Sequence, residues 1–446
     1  MMKLRKYKFG ELYEMSSGIS TTASQAGHGS PFLSFTTVFN NYFLPPALPD
    51  LMDSSKREQE TYSIKAGDIF LTRTSETLDE LGMSSVATED YPKATYSGFL
   101  KRLRPLQPDK SYPKFLAYYL RSRLFRKAMN NNAVMTLRCS LNEQIFSYLD
   151  LLMPDFSDQK KIGDLLYLIY QKIELNHRIN AELEGMAKLL YDYWFVQFEF
   201  PLSAVQAKAL GNPRLTGKPY KSSGGKMTYD AGSKKTVPDE WKVDNILALA
   251  ELGGGATPSK KNLEFWDGDI PFFTPTDAES EPFCLNTEDH ITRKGLANSS
   301  TRLYSEGTLF ITARGSVGKA MIISREMAMN QSCYALCPRE GVSRGFLYFQ
   351  TLSLMDFLRT KSSGSIFKSI VTNDIKFTPA TVPPPVLVKN FGDFAEPDFK
   401  QILNNQRQNQ KLTSLRDWLL PLLMNGQVTV GDSEHGSRTK KGGPTA

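Results

Sequence analysis

The fold of this chain is decided by residues 158–195, DQKKIGDLLYLIYQKIELNHRINAELEGMAKLLYDYWF. Apolar or asparagine side chains recur there at alternating steps of four and three residues, which is the spacing of a helix that packs against a second helix as in a coiled coil. The stretch contains no proline. It would run for roughly 55 to 60 Å as one helix. The predicted seam comprises Ile162, Leu166, Ile169, Ile173, Asn176, Asn180, Leu183, Ala187, Leu190 and Trp194.

A second stretch near the C-terminus repeats part of this helix. Residues 176–183 read NHRINAEL and residues 405–412 read NQRQNQKL, so two asparagines, an arginine and a leucine recur at one constant separation. Repetition on this scale predicts a duplicated chain in which each copy is one domain followed by one long helix. Other matching segments precede the helices: PFLSFT (31–36) with PFFTPT (271–276), and GDIF (67–70) with GTLF (307–310).

The regions between the helices are predicted to be mixed α/β domains, because short apolar strands alternate there with Gly, Ser, Asn and Pro turns. One helix, over residues 113–129, would carry apolar residues on one side and four basic residues on the other. The predicted boundaries are 1–154 for the first domain, 155–200 for the central helix, 201–237 for a connector, 238–385 for the second domain, 386–430 for the C-terminal helix and 431–446 for a disordered tail.

Composition excludes some classes of protein and favours one kind of partner. The 446 residues carry 54 Lys and Arg against 47 Asp and Glu, a formal net charge of +7, which weakly favours an acidic partner such as nucleic acid. There is no run of about 18 apolar residues, so we expect no membrane association and a cytoplasmic location. The four cysteines do not have the spacing of a metal site.

Catalytic motifs are absent from the sequence. Residues 315–320, GSVGKA, fail the spacing and last residue of a phosphate-binding P-loop, and there is no H-E-x-x-H. Residues 240–242, EWK, have the acid-x-Lys shape of a nuclease motif but lack an acidic partner. The four histidines are not clustered. We therefore expect no catalytic residue and no metal site in this chain.

The residues resemble those of a known family, the specificity subunits of type I restriction-modification enzymes. The resemblance covers nearly the whole chain. It is most specific in the central stretch quoted above and in TPSKKNLEFWDGDIPFFTPTD (257–277), TARGSVGKAMIISREMAMNQ (312–331), KGLANSS (294–300) and FLSFTTVFNNYFLPP (32–46).

The resemblance implies an α+β fold of two pseudo-repeated target-recognition domains, separated by two long antiparallel coiled-coil helices. Each domain would read one half of a split sequence in double-stranded DNA, and the helices would set the gap. This chain would hold no cofactor. Two methyltransferase subunits would methylate adenine with S-adenosylmethionine, and restriction and translocase subunits would use ATP and Mg in defence against foreign DNA.

Two other functions remain open from the sequence. The chain would be a self-contained DNA methyltransferase or nuclease with built-in recognition domains if it carried its own chemistry. It would be a scaffold for proteins alone if it had no sequence-dependent affinity for DNA. The absence of cofactor and metal motifs favours the non-catalytic specificity subunit.

Polar residues that follow matched strands are the candidates for DNA contact. Arginine reads guanine with two hydrogen bonds, serine and threonine bind bases or phosphates, and glycine allows close approach of the backbone. Ordinary turn chemistry is the alternative for each of them. Arg73 and Arg314 are the strongest pair, because the same charge follows the same strand in both copies. The candidates are Ser34, Thr36, Thr37, Thr72, Arg73, Thr74 and Ser75 in the first copy, and Ser259, Lys260, Lys261, Thr274, Thr276, Arg314, Gly315 and Ser316 in the second.

The spacer helices carry two further sets of candidates. Asn176 and Asn180, with Asn405 and Asn409, fall on the seam, where buried asparagines set the register of paired helices. The alternative is a slipped seam with these asparagines in solvent. Aromatic residues at the end of the central helix are predicted to form the docking site for methyltransferase subunits, and the alternative is that they cap the core of the first domain. These aromatic residues are Tyr191, Tyr193, Trp194 and Phe195.

Overall fold

The long repeat forms two helices in this computed structural model of the protein. The central helix is Phe156–Tyr191, and it continues into a π-helical turn, Asp192–Val196. The C-terminal helix is Pro385–Met424. The structure describes residues 2–75, 81–132, 134–135, 139–140, 146, 148–231, 234–361 and 369–431, with the backbone alone for 74–75, 131–132, 134–135 and 139–140. The tail that we predict to be disordered lies outside the described residues, except for Gly431.

The C-terminal helix begins at Pro385 and includes two further prolines, Pro397 and Pro421, in its interior. A proline inside a helix removes one main-chain hydrogen bond. The helix is nevertheless continuous, because side chains such as Phe391 and Phe399 on either side of Pro397 are fully buried. It ends before Gly426, whose φ of +69° is the left-handed conformation that commonly terminates helices.

The chain forms two compact units, and each long helix contributes residues to both. The first unit comprises the chain up to Ile173 and from Lys411 onward, and the second comprises Glu174–Gln410. The strands of the first unit are β1 (Arg5–Lys8), β2 (Tyr13–Ser17), β3 (Ala26–Leu33), β4 (Asp50–Met52), β5 (Ile69–Thr72), β6 (Thr74–Ser75), β7 (Ser84–Val86), β8 (Thr95–Tyr96), β9 (Leu100–Pro105), β10 (Val134–Met135), β11 (Cys139–Ser140) and β12 (Asp150–Met153).

The first unit is built on a four-stranded antiparallel sheet in the order β2-β9-β5-β7. A smaller sheet, β4-β3-β8, lies in the same unit. One core contains Phe115 of the short helix Pro113–Tyr119, Ile162 and Leu166 of the central helix, and Leu423 of the C-terminal helix. The helices of this unit are α1 (Phe9–Leu12), α2 (Phe35–Asn40), α3 (Lys56–Thr61), α4 (Pro113–Tyr119), α5 (Arg123–Asn132) and the first part of α6, the central helix.

The second unit is built on a five-stranded sheet. Its strands are β13 (Met227–Asp230), β14 (Lys235–Pro238), β15 (Lys242–Asp244), β16 (Ala250–Gly254), β17 (Trp266–Phe273), β18 (Phe283–Cys284), β19 (His290–Ile291), β20 (Leu309–Thr312), β21 (Ala320–Ile323), β22 (Ala328–Met329), β23 (Cys333–Pro338) and β24 (Ala380–Val382). The order in the main sheet is β16-β23-β20-β21-β18, and a smaller sheet has the order β19-β17-β22. The helices are α7 (Ala204–Ala209), α8 (Arg293–Ala297), α9 (Arg344–Lys361), α10 (Thr372–Phe377) and α11, the C-terminal helix.

The two units repeat one topology, which confirms the α+β fold and the duplication. The order β2-β9-β5-β7 of the first unit corresponds to β16-β23-β20-β21 of the second. In each small sheet a long strand pairs with one neighbour in parallel and with the other in antiparallel orientation. The glycines that precede the matched strands, Gly67 and Gly307, have φ values of +89° and +87°. Glycine is favoured in this conformation because it has no Cβ.

The connector that follows the central helix is folded over its described residues. It contains α7 and the hairpin of β13 and β14. Main-chain hydrogen bonds join Leu202 N to Lys218 O at 2.9 Å and Gly217 N to Leu202 O at 2.8 Å. No helix among the described residues is long and apolar enough to cross a membrane.

The helix predicted over residues 113–129 is wrong as a single element, because it is broken between α4 and α5. Arg121, one of the basic residues of this stretch, lies at the break. Its guanidinium donates to the main-chain oxygens of Val38, Phe39 and Asn41 at 2.8 to 3.0 Å, where α2 ends. Burial lowers the pKa of Arg121 to about 10. This arginine therefore stabilises the fold of the first unit.

Candidate nucleic-acid interface

One edge of the main sheet in the first unit gathers the loops that carry candidate residues. Strand β2 ends at Ser17, opposite Lys101, and β5 ends at Thr72, opposite Leu100 at the start of β9. The chain therefore leaves β2 and β5, and enters β9, at the same edge. The segment before β9 therefore lies between the loop after β2 and the loop after β5.

Main-chain hydrogen bonds connect these loops to one another. Arg73 N donates to Phe99 O at 2.8 Å, and Gly98 N donates to Ile19 O at 2.7 Å. Ser97 N donates to Leu33 O at 3.0 Å, which joins the segment after β3 to the same place. We call this group of segments, residues 17–20, 33–37, 72–75 and 97–101, the first recognition edge.

Not every candidate on the first recognition edge is available to a ligand. Arg73 and Thr36 are exposed, and Arg73 Nη1 lies 3.5 Å from Gly98 O. Ser34 is half-buried and caps α2 by accepting from Thr37 N at 3.4 Å. Thr37 is buried, and Thr72 is fully buried with its Oγ1 accepting from Met83 N at 2.9 Å. As DNA contacts, Thr37 and Thr72 were wrong, because their side chains hold turns together.

Two further candidates of the first copy, Thr74 and Ser75, form the short strand β6. Their backbone pairs with β11, in the order Ser75 to Cys139 and Thr74 to Ser140. Their side chains lie outside the described residues. The strand follows Arg73 directly, so the last two residues of this segment of the recognition edge belong to the sheet β10-β11-β6.

The second unit has a corresponding edge. Arg314 N and Ala313 N both donate to Ser332 O, at 3.2 and 2.8 Å. Asn330 N donates to Phe273 O at 3.0 Å, which brings the segment after β17 to the same edge. We call residues 254–261, 273–277, 313–319 and 330–333 the second recognition edge.

Gly315 adopts a backbone conformation that favours glycine. Its φ is +78°, and a Cβ added to it would lie 3.4 Å from the Pro275 side chain. The loop after β20 therefore approaches the loop after β17 closely at this point. Both Arg314 and Ser316, on either side of the glycine, are exposed.

The remaining candidates of the second copy divide into exposed residues and capping residues. Ser259, Lys260, Lys261 and Thr276 are exposed. Thr274 is half-buried, and its Oγ1 donates to Asp277 Oδ2 at 2.8 Å to cap a short 3-10 turn. The two lysines, together with Arg314, make this edge basic.

The cysteine of the second recognition edge, Cys333, is buried. Burial raises the pKa of the Cys333 thiol to about 12, with a smaller contribution from the charge of Asp277. This thiol is therefore protonated at neutral pH. No group of three or more His, Cys, Asp or Glu residues in the described part of the chain is arranged to hold a metal ion.

Reasoning from the sequence missed several residues of the two edges. Phe99 is 63% exposed although it is a large apolar residue. Lys101 Nζ donates to Ser17 Oγ at 2.6 Å. Thr257 and Gln331 are hydrogen-bonded across the second edge. These residues reach the two recognition edges because of how β9 and β23 pair with their neighbouring strands. The sequence around each residue contains no motif that predicts this position.

The four asparagines of the predicted seam are buried within the second unit. Asn176 Nδ2 donates to Asn409 Oδ1 at 2.8 Å, and Asn405 Nδ2 donates to Asn180 Oδ1 at 2.8 Å. The later residue of the central helix pairs with the earlier residue of the C-terminal helix, so the helices are antiparallel. Within the described residues, Asn176 Oδ1 and Asn409 Nδ2 are buried without a hydrogen-bond partner.

We expect the substitution Asn176→Leu to lower the free energy of unfolding by about 1 to 3 kcal/mol, because it removes the donor to the buried Asn409 Oδ1. The double variant Asn176→Leu/Asn409→Leu should recover most of this loss, since it removes both amides. Chemical denaturation followed by circular dichroism measures both effects. Asn404→Leu, at an exposed position of the C-terminal helix, is the control. Equal losses in the single and double variants would contradict an energetic pairing of Asn176 with Asn409.

Three of the four aromatic residues at the end of the central helix are buried in a core. Tyr191, Trp194 and Phe195 are 2%, 6% and 4% exposed and belong to the core of the second unit. Phe195 packs against Trp241 and Phe346, with ring centroids 5.9 and 4.8 Å apart. The docking hypothesis is therefore wrong for these three residues, as is the alternative that they cap the first domain. Tyr193, 39% exposed, alone remains accessible.

Comparisons with known proteins agree with this architecture. A family profile described as the type I restriction modification DNA specificity domain matches residues 5–185 and 238–411. The chain is 28% identical over 319 residues to the type I restriction enzyme HindI specificity subunit of Haemophilus influenzae, covering 63% of this chain and 70% of that protein. It is 30% identical over 205 residues to the MjaIX specificity subunit of Methanocaldococcus jannaschii, covering 43% and 46%.

A solved structure has the same fold. It is the S subunit of the type I restriction-modification system from M. genitalium, with a TM-score of 0.58 and 12% sequence identity. The similarity covers 95% of this chain and 96% of that one.

Proposed function

This chain belongs to the family of type I restriction-modification DNA specificity subunits, and we propose that its two recognition edges each read one half of a bipartite target in double-stranded DNA. One observation carries the proposal. In each unit an exposed arginine follows the matched strand, directly as Arg73 and one residue later as Arg314, and its main-chain N donates to the residue that precedes the neighbouring strand, Phe99 O or Ser332 O.

The chemistry of the exposed side chains suits duplex DNA. Arginine and lysine neutralise phosphates, and arginine also binds the O6 and N7 atoms of guanine. Exposed hydroxyl groups, such as those of Thr36 and Ser316, are able to bind bases or phosphates. Because the two edges share a backbone arrangement but differ in side chains, each would read its own sequence.

We propose that this chain recognises DNA and that other subunits perform the reactions. Methyltransferase subunits, two in number, would transfer the methyl group of S-adenosylmethionine to adenine, and restriction and translocase subunits would use ATP and Mg in the cytoplasm. The two long helices would set the gap between half-sites. Incubating the purified chain alone with DNA and S-adenosylmethionine should give neither methylation nor cleavage. Activity of the chain alone would favour a self-contained enzyme.

The docking surface for methyltransferase subunits is better assigned to a different face of the central helix. Two sets of exposed apolar residues recur there every seven positions, which together give the four-and-three spacing of a second coiled-coil seam. Glu182 is the polar exception within the stripe. The residues of this stripe within the second unit are Leu175, Ile179, Met186, Leu189, Tyr193 and Val196, between 36% and 71% exposed.

We propose that a helix of a methyltransferase subunit packs on this outer stripe. Exposed apolar residues are common singly on protein surfaces, but a row at heptad spacing is the pattern by which helices associate. The inner seam of the same helix is already occupied, since Asn176 and Asn180 pair with the C-terminal helix. The outer stripe therefore offers a second helix a place to dock.

We expect Arg73→Ala and Arg314→Ala each to weaken binding to the target, by about 5- to 150-fold if the arginine reads a guanine, since a good arginine-guanine pair contributes about 1 to 3 kcal/mol. The complex with its methyltransferase subunits would be titrated with a duplex carrying the target found by mapping methylated adenines. Each variant should relax the preference for one half-site only.

Arg325→Ala is the matched control, because Arg325 is exposed and follows the end of β21 that lies away from the second recognition edge. An equal loss of affinity in Arg325→Ala and Arg314→Ala would argue against a specific role for Arg314. A loss that is the same for target and unrelated duplexes would assign the arginines to phosphate contacts.

A further inference from the structure

Phe99 is a large apolar side chain held in solvent by a rigid turn. Its ring is 63% exposed. The turn is closed by Leu100 N donating to Ser97 O at 2.9 Å, and by Phe99 N donating to Ser97 Oγ at 3.2 Å. Gly98 N donates to Ile19 O at 2.7 Å. The backbone on both sides of the ring is therefore fixed, while the ring itself contributes little to the core.

Basic residues adjoin the main chain of Phe99 on the first recognition edge. Phe99 O accepts from Arg73 N, and the Arg73 guanidinium reaches the neighbouring Gly98 O. Lys101, two residues beyond Phe99, holds its ammonium group against Ser17 Oγ. An exposed aromatic residue on an edge that also carries Arg73 and Lys101 suits a partner that combines negative charge with apolar groups. Duplex DNA has both, since the thymine methyl group is an apolar feature of its major groove.

The second unit keeps the backbone of this position and changes the side chain. Ser332 O accepts from Ala313 N at 2.8 Å as Phe99 O accepts from Arg73 N at 2.8 Å, and Ser332 O also accepts from Arg314 N at 3.2 Å. Phe99 directly precedes β9, which lies between β2 and β5, and Ser332 directly precedes β23, which lies between β16 and β20. The main-chain geometry at this position is the same in both units, but the side chain changes from phenylalanine to serine. Such a position is suited to giving the two units different sequence preferences.

We propose that Phe99 determines part of the sequence specificity of the first unit by contacting the 5-methyl group of a thymine in its half-site. This inference rests on the proposed function and names one base contact within it. The thymine methyl group distinguishes a T·A pair in the major groove, and phenylalanine is among the side chains that contact it there. The corresponding Ser332 would make a hydrogen-bonded contact in the second half-site.

The test replaces thymine by uracil, which removes the methyl group and leaves base pairing unchanged. The complex with methyltransferase subunits would be titrated with duplexes of the methylation-mapped target in which each thymine of both half-sites is replaced in turn. We expect wild type to lose about fourfold in affinity at one thymine of one half-site, as for one methyl group removed from an apolar contact. Phe99→Ala should bind the thymine and uracil duplexes equally.

Leu106→Ala is the control variant, because Leu106 is 55% exposed and follows the opposite end of β9. It should keep the fourfold discrimination. Phe99→Ala should unfold at the same denaturant concentration as wild type, since the ring is exposed. Discrimination between thymine and uracil that persists in Phe99→Ala would overturn the proposal, as would a wild type that ignores every uracil replacement.

A different result separates this inference from the proposed function. If wild type binds its target and an unrelated duplex equally, the reading of DNA itself fails. If wild type prefers its target but Phe99→Ala weakens all duplexes alike, Phe99 makes a contact without sequence information, such as a wedge between bases. In that case the proposed thymine contact is wrong, while the proposed function as a DNA specificity subunit still holds.

Discussion

Replacing Trp194 by Ala is expected to lower the free energy of unfolding by about 3 to 5 kcal/mol, the usual loss for a buried tryptophan. Trp194 is 6% exposed, and its ring centroid lies 6.3 Å from that of Phe391 and 5.9 Å from that of Phe394. The substitution removes these contacts and leaves a cavity in the core of the second unit. Denaturant unfolding of the purified protein, followed by circular dichroism, measures the loss.

Tyr193→Ala is the adjacent control. Tyr193 is 39% exposed, so its replacement should change the free energy of unfolding by less than about 1 kcal/mol. Equal losses at Trp194 and Tyr193 would contradict the burial of Trp194. If Trp194→Ala unfolded like wild type but failed to co-purify with a methyltransferase subunit, the aromatic residues would have to be reassigned to docking.

Leu189→Asp and Met186→Asp are each expected to abolish co-purification with the methyltransferase subunit. These two residues are the most exposed of the outer stripe, 71% and 60%. A carboxylate buried without a partner costs about 3 to 5 kcal/mol, which weakens association more than a hundredfold. Because both positions are exposed in this chain, its own unfolding should change little. Co-expression followed by affinity purification measures the assembly.

Ala181→Asp is the matched control for charge. Ala181 is exposed on the same helix but lies outside the stripe, so Ala181→Asp should assemble normally. Loss of assembly in all three variants would show that added charge anywhere on this helix disrupts the complex. Normal assembly of both stripe variants would rule out the outer stripe as the docking surface.

The predicted fold follows from features that repeat along the chain. The four-and-three spacing depends only on the geometry of one helix, and it predicts the buried positions Ile162, Leu166 and Ala187. The duplicated segments share their turns, because Gly67 and Gly307 need the same left-handed conformation. These signals are local, so a single sequence carries them.

The candidate site was predictable only in part. Arg73 and Arg314 recur after the same strand, and both are exposed at a sheet edge. Thr72 is the last residue of β5, directly before Arg73, and is a candidate from the sequence for the same reason. It is nevertheless buried, and its hydroxyl oxygen accepts a hydrogen bond from Met83 N across the turn. The side of a turn on which a side chain lies depends on what packs against it, and that information comes from residues distant in the chain.

The sequence by itself determined the long helices, the duplication and the basic residues at the ends of strands, because periodicity and turn chemistry are properties of neighbouring residues. Only the tertiary structure decided that Trp194 belongs to the core of the second unit and that Phe99 stands beside Arg73. It also decided that the apolar residues of the central helix divide into an occupied seam and an open stripe. Such outcomes depend on which strands pair and in what register, and the pairing is settled by contacts among residues far apart in the chain.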